Sequence, residues 1–152
     1  MKTYLCAAAA VLLATGAGAG CGGGDEKPLS KADYIKQGDA ICEKSGDKID
    51  KKAEKTFADL GQNEMPTEEQ LTPFVEDTLK PEIESQISGL RDLTPPEADA
   101  DKLNEIYEQV EEALAKVEDD PGTLLEEGDN SDPFEDANKA AQDYGFKVCG
   151  EG

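Results

Sequence analysis

The chain has 152 residues, with 15 Lys and Arg against 35 Asp and Glu, a formal net charge of −20, no histidine and no tryptophan. Without histidine there is no Ser-His-Asp triad, no histidine metal site and no H-E-x-x-H centre. So acidic a chain also lacks the basic footprint that neutralises phosphates, which excludes nucleic acid as a partner.

Lys2 gives a short positive start, residues 4–14 form an apolar run that includes Leu5, Val11, Leu12 and Leu13, and small residues follow up to Cys21. A positive start, an apolar stretch of about 7–15 residues and a small-residue cleavage region make a secretory signal; a membrane span needs about 20 apolar residues. Gly18-Ala19-Gly20-Cys21 resembles the lipobox of bacterial lipoproteins, where signal peptidase II cuts before a diacylglyceryl-modified cysteine. Gly18 departs from that box, which usually carries Leu there. The resemblance implies a signal peptide over 1–20 and acyl chains such as palmitate on Cys21, anchoring the protein to the extracytoplasmic face of the cell membrane. The alternative is ordinary secretion with Cys21 unmodified. Cysteine arithmetic favours the lipid: Cys6 leaves with the signal, and lipidation of Cys21 accounts for the odd one among Cys21, Cys42 and Cys149. Two or more acyl chains, at ~0.8 kcal/mol per buried CH₂, anchor stably where one is reversible.

Removal of residues 1–20 leaves 132 residues, the size of one domain, with 14 basic and 35 acidic side chains and a net charge of −21. An anionic lipid surface repels such a body within a Debye length of ~8 Å. Residues 21–29 therefore read as a lipidated cysteine and flexible linker, with a reach on the order of 15 Å. The domain occupies 30–152.

Four segments open with helix-start chemistry. Ser30-Lys31-Ala32-Asp33 is a near capping box flanked by Leu29 and Tyr34, and Thr67-Glu68-Glu69-Gln70 is a capping box. Thr94-Pro95-Pro96-Glu97 and Asp132-Pro133-Phe134-Glu135 each put Pro at the first helical position and Glu at the third. Behind each start runs a stripe of period 3.6. The first carries Tyr34, Ile35, Ile41, Cys42, Ile49, Ala53, Phe57 and Leu60, with a break expected near Gly46. The second runs from Leu71 to Leu90 and contains Pro81, which removes a ladder bond and is expected to kink or split it. The third carries Leu103, Ile106, Tyr107, Val110, Leu114 and Val117. The fourth carries Phe134, Ala137, Ala141 and Tyr144, and stops at Gly145, a left-handed cap over which Phe146 folds back. Residues 120–131 read as loop with one turn around Leu124 and Leu125. No stretch alternates with period two, so the fold class is all-α: a four-helix up-and-down bundle.

Cys42 falls on the apolar face of the first helix and Cys149 closes the tail, and export to an oxidising space makes their disulfide the expected state. It closes a loop of 107 residues, worth up to roughly 4–5 kcal/mol in the chain-entropy model. The pair is far from the C-x-x-C spacing of active dithiols, which argues for structure over redox chemistry.

Asp33-Tyr34-Ile35, Asp39-Ala40-Ile41-Cys42, Leu90-Arg91-Asp92-Leu93-Thr94-Pro95-Pro96 and Tyr144-Gly145-Phe146-Lys147-Val148-Cys149-Gly150 together resemble small helical lipoproteins of high-GC Gram-positive bacteria. These are scaffold motifs, and the group carries no assigned activity; the resemblance implies anchor, disulfide and compartment only.

No G-x-S-x-G elbow or G-x-x-x-x-G-K-[ST] loop is present. With 35 acids, carboxylate pairs carry no information. Residues 97–136 hold 16 acids against Lys102 and Lys116, an acidic face for solvent, a basic partner or loose divalent cations; Asp129-Asn130-Ser131-Asp132 lacks the glycine and Glu of an EF-hand. The sequence therefore reads as a non-enzymatic module with no catalytic, cofactor or metal site. Its expected contacts are the membrane through the anchor and an unidentified envelope protein. The rival is a small-ligand carrier with a site inside the bundle. A deep pocket lined by Tyr34 or Tyr107 with unpaired polar groups would mark the carrier, and an exposed apolar patch beside the second helix would mark a protein partner.

Overall fold

A computed structural model describes residues 27–61, 64–126 and 132–151. The expected signal peptide, Cys21 and most of the linker lie outside these residues. The described chain is helical, in the order α1 (Lys31–Thr56), α2 (Glu68–Phe74), a π-helical turn (Val75–Leu79), α3 (Lys80–Arg91), a 3₁₀ turn (Glu97–Asp99), α4 (Ala100–Asp119), a second 3₁₀ turn (Pro121–Leu125) and α5 (Glu135–Tyr144). Among the described residues there is no strand, and no helix is long and apolar enough to cross a membrane.

The caps explain where the first two helices begin. The Ser30 side chain accepts the Asp33 N–H at 3.2 Å. At Thr67 the box is reciprocal, Thr67 Oγ1 accepting from the Gln70 N–H and Gln70 Oε1 from the Thr67 N–H. The break expected near Gly46 is absent, and α1 runs unbroken for 26 residues, about 39 Å. Helix on both sides absorbs the ~1 kcal/mol that one glycine costs relative to alanine.

Pro81 does not split the second helix: α2, a π turn and α3 follow one another without a gap. The turn just before it is wound one residue wider, with the Lys80 N–H reaching back to Val75 O. That gives the proline ring room against the carbonyl four residues behind it. At Thr94 the expected start is displaced: the helical turn begins at Glu97, behind an extended Pro96 (φ −57°, ψ 133°). Pro95 precedes another proline, and a residue before proline is driven out of the helical region. Thr94 O instead accepts the Leu29 N–H at 3.0 Å, tying the approach to α1 onto this bend. The start at Asp132 is displaced as well: its carboxylate accepts the Phe134 N–H at 2.8 Å in a turn, and α5 begins at Glu135 with no side-chain cap. Gly145 ends α5 at φ +122°, where a side chain would be strained, and both Gly145 and Phe146 donate to Ala141 O.

α2 and α3 form one continuous column, and α1, this column, α4 and α5 alternate in direction. Tyr34 meets Leu90 while Ser45 meets Glu82 across α1 and α3; Arg91 meets Glu111 while Lys80 meets Glu118 across α3 and α4. Tyr144 on α5 returns to Asp99 at the head of α4. The shared core joins Tyr34, Cys42, Val75, Leu79, Ile83, Ile87, Leu103, Ile106, Leu114, Val117, Tyr144 and Phe146.

Candidate functional site

Three tyrosines gather at the end of the domain where α1 begins. Tyr34 comes from the first turn of α1, Tyr107 from the middle of α4 and Tyr144 from the last turn of α5, each at most 3 % exposed. Tyr34 donates its hydroxyl to Leu90 O at 3.1 Å, and Tyr107 supplies the hydroxyl that meets Tyr34. Tyr144 donates to the Asp99 carboxylate at 2.9 Å. Its ring stands edge-on to Tyr34, with centroids 6.4 Å apart, while Lys31 Nζ lies 4.1 Å over its face. Burial raises all three phenols above their ordinary pKa. The hydrogen bond to Tyr34 adds to this at Tyr107, and the one to Asp99 adds to it at Tyr144.

Above the Tyr34–Tyr107 pair lies a hollow of about 200 Å³, walled by Leu90, Leu93, Pro95 and Leu103 with Arg91 and Asn104 at its rim. Its position is the one expected of a carrier site, but its buried hydroxyls and its arginine are paired. Arg91 is bound through both terminal nitrogens to Glu111, and among the described residues no buried side-chain polar atom lacks a hydrogen-bond partner. A ligand there would meet apolar walls and satisfied hydroxyls.

Next to this cluster α1 is clasped to the residues that follow α5. Cys42 and Cys149 are joined, their Cα atoms 5.2 Å apart. Phe146, 4 % exposed, packs on Tyr34 and Tyr144 with ring centroids at 6.2 and 5.3 Å. Gly38 makes room for it: a β-carbon at residue 38 would stand 2.5 Å from Phe146 Cε1. Asp39 accepts the backbone N–H groups of Lys147, Val148 and Cys149.

Of the residues singled out from sequence, Cys42 and Cys149 are brought together, and Cys21 lies outside the described residues. Sequence reasoning missed Asp39 and Gly38. Their signal is the spacing 34, 38, 39, 42, which puts both on the side of α1 that carries Tyr34 and Cys42. Residues 129–131 of the calcium-like stretch lie outside the description, and among the described residues no group of three or more His, Cys, Asp or Glu is disposed to hold a metal. Nor is there an apolar patch among them beside α2: Met65, 57 % exposed, is the single exposed large hydrophobic side chain. Compared with protein-family models, curated proteins and solved structures, the chain matches none.

Proposed function

We propose that this is a membrane-anchored bacterial lipoprotein, akin to the small helical lipoproteins of high-GC Gram-positive bacteria. It is held by acyl chains on Cys21 at the extracytoplasmic face of the cell membrane. Its up-and-down bundle, preceded by a signal peptide over 1–20 and a tether over 21–29, serves as a non-catalytic binding or envelope-structural module. The observation that carries this reading is the run from Lys2 through the apolar residues 4–14 to Gly18-Ala19-Gly20-Cys21. The disulfide supports it, since such bonds persist in oxidising compartments. Helix α1 starts ten residues after Cys21, close enough for a short tether.

The second reading, a small-ligand carrier, rests on the hollow above Tyr34 and Tyr107. The two part on whether a small apolar molecule copurifies with the domain.

The test of the anchor is intact mass of protein extracted from its native envelope, before and after reduction. The expected mass begins at Cys21, carries acyl chains and gains two hydrogens on reduction. Cys21→Ser is expected to release the domain from membranes; membrane binding retained by that variant, or a mass without acyl chains, overturns the proposal.

A further inference from the structure

The Asp39 carboxylate is placed to do more than decorate α1. Its Oδ1 receives the N–H of Lys147 at 3.0 Å, of Val148 at 2.9 Å and of Cys149 at 3.3 Å, and Oδ2 receives Lys147 again at 3.2 Å. Three consecutive backbone donors turned onto one anion form a small concave cradle, here filled by a side chain more than a hundred residues away in sequence. Asp39 also stands three residues before Cys42, one turn along the same helix face. The group that grips the tail and the sulfur that bonds it are therefore neighbours. The carboxylate's contacts are all to backbone N–H groups and none is to a sulfur atom, and the tail has further holds of its own. Phe146 is seated over Gly38, and the Gln142 side chain donates to Gly150 O.

We propose that Asp39 is a positioning residue for oxidation of the Cys42–Cys149 pair. In the dithiol chain its carboxylate docks residues 147–149 on α1, so that Cys149 waits beside Cys42 before any bond forms. A small-molecule disulfide such as oxidised glutathione meets the partly exposed Cys149 first; Cys42 is only 5 % exposed. The Cys149 thiolate displaces one glutathione thiolate and forms a mixed disulfide. The Cys42 thiolate then attacks Cys149 Sγ, the sulfur–sulfur bond to the second glutathione breaks, and that glutathione leaves as a thiolate and takes up a proton. Two protein thiols are oxidised and one glutathione disulfide is reduced to two thiols. Asp39 touches neither sulfur; it raises the concentration of one at the other.

The measurement is the equilibrium of the full chain with reduced and oxidised glutathione, quenched, alkylated and read by the masses of the Cys42 and Cys149 peptides, which separates this pair from Cys6 and Cys21. The effective thiol concentration is expected to fall at least tenfold in Asp39→Ala, equivalent to a potential about 30 mV less reducing. Asp39→Asn, which keeps the side chain's shape but loses its charge, is expected to fall between Asp39→Ala and the parent, and it carries the decision if the alanine variant does not fold. Asp47→Ala removes a carboxylate from the same helix that, among the described residues, pairs with exposed Lys51, and is expected to leave the equilibrium unchanged. In a Cys42→Ser, Cys149→Ser chain, amide exchange at 147–149 is expected to stay slow with Asp39 present and to become fast with Asp39→Ala. An exchange equilibrium indifferent to Asp39→Asn and Asp39→Ala, or fast tail amides in the cysteine-free chain that retains Asp39, overturns the proposal.

Discussion

Along α1, the half that begins at Lys31 buries Tyr34, Gly38, Cys42 and Ser45, whereas no residue from Gly46 to Thr56 is fully buried. The first half is covered by the chain's own tail, by the aromatic cluster and by the bend at Leu93 and Thr94. The second half lies against the α2–α3 column with Ile49, Ala53 and Phe57 half-buried, and its charged side chains reach across the surface, Lys48 and Lys52 both to Glu82. Both halves are regular helix, but 46–56 carries seven Asp, Glu and Lys in eleven residues, against six in the fifteen of 31–45. The cover each half receives follows that difference, so helix content is a poor guide to where this domain's stability resides. Local opening free energy should follow the cover, high in the first half and low in the second.

The largest test of that contrast is Cys149→Ser. Breaking a 107-residue covalent loop is expected to cost a few kcal/mol and lower the melting temperature by on the order of 10 °C. Amide protection of residues 34–45 should then fall toward that of 46–56. An unchanged melting temperature would show that the clasp adds nothing.

Next in size is a pair of substitutions of opposite sign on the same helix. Gly38→Ala drives a methyl into Phe146 and Leu90 Cδ2 and is expected to destabilise by about 1–3 kcal/mol. Gly46→Ala enters open space and is expected to stabilise by about 0.5–1 kcal/mol. Denaturant midpoints read both, and equal shifts in the same direction would erase the contrast.

The tyrosine cluster gives the smallest effect at neutral pH and a sharp one in alkali. Unfolded phenols ionise near pH 10. Tyr34, Tyr107 and Tyr144 are all held above that by burial, so the native state keeps protons the unfolded chain has lost. Their contribution is complete below about pH 10 and is lost as pH rises past it. In chain starting at Cys21, which contains no further tyrosine, phenolate absorbance is expected to appear together with loss of helix in one cooperative step. Gradual ionisation near pH 10 in protein that stays helical would contradict the burial.

Much of the architecture was legible because it is encoded locally. Ser30 and Thr67 announce helix starts by chemistry confined to three or four residues, Asp132 announces one to within two residues, and Gly145 announces a stop in the same way. The cysteine pair was legible by counting. The start of α4 was misread because two local rules compete at Pro95-Pro96, and the restriction on a residue before proline prevails over the preference for proline in a first turn. Gly46 was misread in the other direction, because packing on both sides carries the helix through a residue that would weaken it in isolation. At Pro81 the helix departs from α geometry, by a π turn whose register no local pattern specifies. Asp39 was invisible as a clasp, since in sequence it is one of 35 acids and its partners lie over a hundred residues away. The pairing of Tyr34 with Tyr107 was equally hidden: the two could be named from sequence as the lining of a candidate carrier site, but not as a satisfied pair.

The Cys42–Cys149 bridge also decides how the domain responds to mechanical force. A pull between its first described residues and its tail runs along α1 from Lys31 to Cys42, crosses the sulfur bond and leaves through the last few residues. The 107-residue loop containing the remaining helices is bypassed and bears no tension. Full extension under load then releases only about 60 Å of chain, counting roughly 3.5 Å for each loaded residue. The bundle hangs beside the line of force, shielded by one covalent short circuit.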